Sequence, residues 1–182
     1  MISSEGNIVI SNTTPIISLI KAEKLNLLKD LFGKVVITET VYRELTFQKD
    51  LRHETDQIDN SDFIIVAEDS SFLKHIKHVM EGYGLDKGEA SVIAFSKEVH
   101  PDIVLMDEHK GRRVACDLGF EVMGTIGVLN IAAKEQLIDY NMVVEAVRKL
   151  KENNIRIKDG LCDDLINKVK KYEQCRDKGV SR

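Results

Sequence analysis

Short apolar runs alternate with amphipathic segments along most of the chain. The apolar runs predict five buried strands, at residues 8–11, 35–37, 63–66, 103–106 and 121–123. The segments between them carry apolar residues three or four positions apart, which predicts helices. Parallel neighbours in a sheet need crossover connections. Strands that alternate with helices therefore predict an α/β fold, with a mostly parallel sheet between two helical layers.

Several residues mark where the predicted helices begin. Asp86 stands at an N-cap position with Glu89 three residues later, which is the pattern of a capping box. Thr125 is predicted to cap the helix after the fifth strand. Residues 47–62 are polar and give no firm prediction. Extra helices at the C-terminal end are predicted near residues 141–151 and 161–172.

The composition is typical of a compact globular protein, with 182 residues, 43% hydrophobic residues and only two prolines. We expect residues 1–160 to form one domain, and residues 161–182 to form a C-terminal helix and frayed tail packed on it. No apolar run reaches the roughly 20 residues that a membrane span needs, and the start, MISSEGN, lacks the pattern of a signal peptide. A cytoplasmic protein without a membrane partner is therefore expected. The three widely spaced cysteines predict reduced thiols.

Charge is unevenly distributed along the chain. The net charge is −4, but residues 148–182 hold eleven Lys and Arg against six Asp and Glu, so the first 147 residues carry −9. An acidic body with a basic end could attract a metal ion at one place and phosphates at another. A solvated terminal helix would give the same pattern, so the basic end alone identifies no partner.

Polar side chains directly follow two of the predicted strands. Asn12 comes after the first strand and Asp107 after the fourth. Ligands of open α/β sheets collect at the carboxyl ends of the strands, so both residues are candidates for a binding site. Glu89, in the first turn of the helix before the fourth strand, and Glu44, at the end of the third helix, could join them. Taken alone, Glu89 is more typical of a capping box, and Glu44 of a solvated helix surface.

Together these four side chains favour a site for a divalent metal ion. Mg²⁺ and Mn²⁺ prefer oxygen ligands, and several carboxylates brought together cannot all stay ionised unless a cation joins them. Such an ion could generate a hydroxide nucleophile and stabilise the charge that develops on a phosphodiester. Lys110, Arg112 and Arg113 follow Asp107 closely in the sequence and could hold phosphates near the metal ion. A basic helix surface would give the same pattern.

Hydroxyl side chains near the strand ends have two interpretations. Thr13 and Thr14 could orient a metal-bound water, or they could cap the first helix. Thr125, besides capping its helix, could meet a phosphate oxygen at the helix amino terminus. The sequence does not decide between the two roles of Thr13 and Thr14, or between the two roles of Thr125.

Four segments of the chain carry a family resemblance. They read VISNTTPIISLIKAEKLNLLKDLF, VVITETVYREL, GLDKGEASVIAFS and LMDEHKGRRVACDLGFEVMGTIGVLNIA. In sequence and in order they resemble a prokaryotic branch of the PIN-domain superfamily, toxin-like proteins predicted to bind nucleic acid, over residues 7–160. The resemblance implies a PIN-like three-layer α/β/α sandwich and a single-strand ribonuclease that depends on Mg²⁺ or Mn²⁺. Many PIN relatives are toxins of VapC-type pairs, so it also implies a small antitoxin protein and a homodimer.

The resemblance also assigns roles to single residues. It implies that the four acidic PIN positions fall on Asn12, Glu44, Glu89 and Asp107, and that Glu108 can assist beside Asp107. The first position holds an amide where most active PIN nucleases hold aspartate, although this branch often reads SNT there. An Asn carbonyl can still ligate a metal ion, but the amide removes one negative charge and cannot act as a base.

Three functions are consistent with these observations. The first is a metal-dependent endoribonuclease, in which a water on the metal attacks phosphorus in line and leaves 5′-phosphate and 3′-hydroxyl ends, with Arg112 or Arg113 steering the phosphate. The second is a catalytically weak PIN scaffold that binds RNA or a protein partner through its basic terminal helices. The third, a phospho-acceptor receiver-like domain, would need paired acids where Ser11 and Asn12 stand. We therefore favour the ribonuclease.

Overall fold

A five-stranded, wholly parallel sheet lies at the centre of the computed structural model, which describes residues 8–47 and 52–179. The strands are β1 (Val9–Ser11), β2 (Val35–Thr38), β3 (Ile64–Ala67), β4 (Ile103–Leu105) and β5 (Val122–Met123). Their order across the sheet is β3-β2-β1-β4-β5. The predicted α/β fold with a parallel sheet is confirmed, and each predicted strand is present within one or two residues of its expected bounds.

Helices connect the strands and extend the chain beyond the last one, in agreement with an α/β/α sandwich. Within the described ranges they are α1 (Thr13–Lys21), α2 (Leu27–Phe32), α3 (Glu39–Phe47), α4 (Arg52–Asp59), α5 (Leu73–Tyr83), α6 (Lys87–Val99), α7 (His109–Asp117), α8 (Thr125–Lys134), α9 (Tyr140–Glu152) and α10 (Asp159–Gly179). A 3₁₀ turn at Ser70–Phe72 precedes α5. In this part of the chain, no helix combines the length and the apolar character that crossing a membrane requires.

The strand order reverses between β1 and β4. The chain builds the sheet on one side of β1 through β2 and β3, and then crosses to the other side for β4 and β5. In register, Ser11 lies beside Leu105, and the Asn12 N–H donates to the Leu105 carbonyl over 2.9 Å. The carboxyl ends of β1 and β4 therefore meet at the topological switch point, where open α/β sheets bind their ligands.

The central strands are the most deeply buried part of the molecule. Val9, Ile10, Val104 and Leu105 have no accessible surface, as expected for parallel strands that helices cover on both faces. Helical side chains with no exposed surface fill the two layers around them; they include Ile16, Leu19, Ile93, Val128 and Leu129. The sheet is thus a rigid support for the residues that leave its carboxyl edge.

Two stretches of the chain contain more helix than the sequence predicted. The polar segment 47–62 contains α4, which packs through Ile58 and places Glu54 in an ion pair with Lys21. Helix α10 continues through Gly179, well beyond the predicted end near residue 172. Residues 180–182 of the predicted frayed tail, residues 48–51 of the polar segment, and residues 1–7, from which no signal peptide was predicted, lie outside the described residues.

A buried pair of hydroxyls joins α3 to α6 at the carboxyl end of β2. The Oγ1 atom of Thr38 lies 2.7 Å from the Oγ atom of Ser91, and neither residue is accessible. The Ser91 hydroxyl donates to the Gly88 carbonyl (2.8 Å), so its single hydrogen is used and Thr38 is the donor between the two hydroxyls. The Val41 N–H in turn donates to Thr38 Oγ1 over 3.2 Å, so Thr38 caps the first turn of α3. This chain fixes the first turn of α3 against the first turn of α6.

Ser91→Ala is expected to lower the free energy of unfolding by about 1–3 kcal/mol, because it leaves the hydrogen of the buried Thr38 hydroxyl without an acceptor in the core. Ser18→Ala is the matched control: Ser18 is also inaccessible and helical, but its hydroxyl has no hydrogen-bond partner among the described residues. That substitution should be neutral or stabilising. Urea denaturation measures both, and equal destabilisation by the two would contradict a role for the hydroxyl pair.

Candidate functional site

Glu44 extends from α3 toward the first residues of α1 and α6. The Thr13 hydroxyl donates to Glu44 Oε2 over 2.8 Å, and the Gly88 backbone N–H donates a second hydrogen bond. Burial raises the pKa of Glu44 above its ordinary value, the two hydrogen bonds lower it, and the charges of Asp86 and Glu108 raise it further. Glu44 is therefore no solvated surface residue: two donors hold it in a place where negative charge is crowded.

Glu89 is 5% exposed and has two roles in the structure. It completes the predicted capping box, since its N–H donates to Asp86 Oδ1 (2.8 Å) and the Asp86 N–H donates to Glu89 Oε2 (3.2 Å). The Gly111 N–H on α7 donates to the same carboxylate. Burial raises the pKa of Glu89, and the charges of Asp86 and Glu108 add to that effect. A capping-box residue is thus also a member of the carboxylate group.

Asp107 follows β4 and is held by α8. The Thr125 N–H donates to Oδ1 over 2.8 Å and the Thr125 hydroxyl donates to Oδ2 over 2.6 Å. Burial raises the pKa of Asp107, while these two bonds oppose the shift. The prediction that Thr125 caps α8 is wrong: Gly124 occupies the N-cap position, and the Thr125 hydroxyl is drawn to Asp107 instead.

Asn12 directly follows β1 and is only 4% exposed. Its Nδ2 lies 3.5 Å from Glu108 Oε2, and the Thr14 hydroxyl donates to the other oxygen of Glu108. The Oδ1 atom of Asn12 is buried with no hydrogen-bond partner among the described residues. The hydroxyls of Thr13 and Thr14 thus bind Glu44 and Glu108 and do not cap α1.

Glu108 connects these side chains electrostatically. Its negative charge raises the pKa of Glu44, of Glu89 and of Asp107, which come from three different elements of the fold. The contacts agree with this: the adjacent residues Thr13 and Thr14 bind Glu44 and Glu108, Asp107 directly precedes Glu108, and Glu89 lies against Gly111 of α7. The four predicted site residues, including Asn12, therefore lie at the same edge of the sheet.

Three glycines leave room for this group, and no role was predicted for them. A Cβ atom on Gly88 would lie 2.5 Å from Glu44 Oε2, one on Gly111 2.6 Å from Glu89 Oε1, and one on Gly124 2.6 Å from Asp107 Oδ1. Each glycine stands within four residues of a predicted site residue in the sequence. That spacing is the only signal that could have found them, because the close approaches are tertiary.

The three predicted phosphate-binding cations bind groups of the chain itself. Lys110 donates to the Gly84 carbonyl, and Arg112 donates to the Met106 carbonyl over 2.7 Å. The charge of Arg112 also lowers the pKa of Asp107. Arg113 lies exposed on α7 with its Nε 3.9 Å from Asp117. Contacts of these residues with phosphate stay a prediction.

The donor set has the chemistry of a hard divalent cation site. All candidate ligands offer oxygen, and the unpartnered, buried Asn12 Oδ1 is an acceptor that a cation would satisfy. Within residues 8–47 and 52–179, no group of three or more His, Cys, Asp or Glu is close enough to hold a metal ion as it stands. A shared ion would therefore require the carboxylates to draw closer together, with the Asn12 carbonyl as an additional oxygen.

Gly88→Ala is expected to weaken Mn²⁺ binding about 10-fold or more, because its methyl group would displace the carboxylate of Glu44. Gly82→Ala is the matched control, since a Cβ atom there meets nothing within 4 Å in α5. The control should leave Mn²⁺ affinity unchanged and stabilise the helix by about 0.5–1 kcal/mol. Isothermal titration calorimetry with Mn²⁺ measures the affinities, and unchanged binding by Gly88→Ala would show that Gly88 makes no room for a ligand.

Glu89→Gln is expected to make the metal-free protein more stable relative to the parent as the pH rises. Folding raises the pKa of Glu89, so this group's contribution to stability falls as the pH rises from 4.5 through the raised value. Glutamine serves a capping box equally well and carries no charge at any pH. Urea denaturation in EDTA between about pH 4 and pH 8 should show a stability difference from the parent that grows with pH; a constant difference would refute this.

A family comparison agrees with the fold. The model of the family described as DUF3368: PIN domain matches residues 8–171, which include every strand of the sheet and every side chain discussed above. No curated protein matches the chain at a significant level. The resemblance and the PIN-like fold predicted from the sequence are confirmed. The chain belongs to this family of PIN domains.

Proposed function

We propose that this PIN domain is an endoribonuclease that cleaves single-stranded RNA with Mg²⁺ or Mn²⁺. The observation that carries the proposal is the grouping of Glu44, Glu89 and Asp107 around Glu108, with Asn12 beside them, at the switch point of the sheet. The negative charge of Glu108 raises the pKa of each of these three carboxyl groups, and a divalent cation would relieve that repulsion. The family assignment supports chemistry of the nuclease type.

The ligands in this proposal are Asn12 Oδ1 and the carboxylates of Glu44, Glu89 and Asp107. A bound ion supplies a hydroxide nucleophile at neutral pH and neutralises the charge that develops on the phosphodiester.

The neighbouring residues position these ligands. Thr125 holds both oxygens of Asp107, and Thr13 holds one oxygen of Glu44, so neither carboxylate can turn freely toward solvent. Arg112 fixes the Met106 carbonyl next to Asp107, and thereby the backbone from which Asp107 projects. Arg113 is more exposed and is the candidate contact for a substrate phosphate.

A second candidate function is a catalytically weak scaffold that binds RNA through α10. Several basic residues of the C-terminal part form ion pairs: Arg148 with Glu152, Lys149 with Glu23 and Glu145, and Lys151 with Asp159. Among the α10 side chains that the structure describes, the exposed cations are Lys168, Lys170 and Lys171. Together with the amide at position 12, this lysine group favours binding without turnover as the alternative.

A toxin role, an antitoxin partner, a homodimer and a cytoplasmic location belong to the proposal as well. They rest on the resemblance to toxin-like PIN proteins and on the sequence composition, and they stay predictions.

Asp107→Asn should lower the rate of RNA cleavage about 100-fold or more, because it removes a ligand charge while amide and carboxylate have the same shape. Asp30→Asn, the same change at an exposed position of α2, should have no effect. The assay uses a mixed single-stranded RNA with Mn²⁺, Mg²⁺ or EDTA. Full cleavage by Asp107→Asn would refute the assignment of the site. Binding of RNA that persists in EDTA, weakens with salt and leads to no cleavage would favour the scaffold.

A further inference from the structure

The amide at position 12 and the acid at position 108 lie next to each other at the switch point. The chain separates them by 96 residues, and the pairing of β1 with β4 brings them together. Asn12 presents its Nδ2 donor to Glu108 Oε2 at 3.5 Å, which leaves its Oδ1 without a partner among the described residues. The amide therefore has one side suited to a carboxylate and the other suited to a cation.

We propose that Glu108 supplies the negative charge that Asn12 lacks, so that the two residues together form one acidic ligand position for a divalent cation. This inference rests on the proposed function only in so far as that function places a cation at the site.

The position of the Glu108 side chain supports this role. Glu108 stands at the N-cap of α7 but makes no side-chain hydrogen bond to that helix. Its two oxygens instead face the Asn12 amide and the Thr14 hydroxyl across the sheet. The side chain is thus committed to the site and is half-buried there.

Contacts of neighbouring residues place Glu108 beside the other carboxylates. Thr13 and Thr14 are adjacent in α1, and their hydroxyls donate to Glu44 and to Glu108, while Asp107 directly precedes Glu108 in the chain. A cation that meets Glu44 and Asp107 would therefore also be close to Glu108.

The charge balance explains why an amide suits position 12. An aspartate there would put a second carboxylate about 3.5 Å from Glu108 Oε2, where the two could not both stay ionised without a cation. With Asn12, the site has the carboxylates of Glu44, Glu89, Asp107 and Glu108, the same charge that an aspartate at position 12 with a neutral residue at 108 would give. The amide is therefore matched to its neighbour and does not mark a degraded site.

A charge-swap cycle on the full chain tests the proposal, with Mn²⁺ affinity measured by isothermal titration calorimetry. Glu108→Gln should weaken Mn²⁺ binding about 10-fold or more. Adding Asn12→Asp to Glu108→Gln returns the charge on the other member of the pair, and should restore the affinity to within about 3-fold of the parent. Glu135→Gln, the same change at an exposed residue after α8, should leave the affinity unaltered.

Urea denaturation in EDTA separates ligand loss from loss of structure. Glutamine can accept from the Asn12 amide with its oxygen and donate to the Thr14 hydroxyl with its amide nitrogen, so Glu108→Gln should be at least as stable as the parent, because it also removes one of the crowded negative charges. If Glu108→Gln binds Mn²⁺ as the parent does, Glu108 is only a tether for α1 and the inference is overturned. It is equally overturned if the double variant stays as weak as Glu108→Gln.

The outcomes distinguish this inference from the proposed nuclease. Mn²⁺ affinity could be lost in Glu108→Gln and restored in the double variant while the parent cleaves no RNA. In that case the proposed nuclease function is wrong and the pairing of Asn12 with Glu108 is supported. If cleavage depends on Asp107 while Glu108→Gln keeps full Mn²⁺ affinity, the pairing fails and the nuclease stands. If the parent binds no Mn²⁺, both are wrong.

Discussion

The pairing of β1 with β4 is the interaction on which the site depends. Its register sets Ser11 beside Leu105, and the hydrogen bond from the Asn12 N–H to the Leu105 carbonyl carries the pairing one residue past the strand. Side chains alternate between the two faces of a sheet, so a slip of one residue would turn Asn12 away from Glu108. The fully buried apolar strands thus fix the geometry of polar groups that they do not themselves contact.

The acidic edge of the sheet opposes folding, and the rest of the molecule offsets that cost. Burial raises the pKa of Glu44, Glu89 and Asp107, which means that ionising them costs free energy in the folded state. Local donors compensate in part, among them Thr13 and Thr125. The hydrophobic core must offset the rest of this free-energy cost. A protein that keeps such a group of charges in its folded state uses this edge for binding more than for stability.

Local sequence signals predicted the parts of the fold that local physics decides. Apolar runs located the strands, and the capping box of Asp86 and Glu89 is formed as the sequence indicated. Helix α4 gave no clear pattern because its segment is mostly polar. Thr125 was assigned to the wrong role because a tertiary partner, Asp107, competes with the cap for its hydroxyl. The contact of Glu108 with Thr14 spans 94 positions, and no local pattern encodes it.

The glycines around the carboxylates have a consequence at the level of the gene. Gly88 lies in α6, Gly111 in α7, and Gly124 directly before α8. Each of them leaves space for a different acidic side chain. Every glycine codon becomes an alanine codon by a single base change, and the added methyl group would reach the space of a carboxylate at any of the three. The site can therefore be closed by one nucleotide substitution in three independent places, none of which alters an acidic residue.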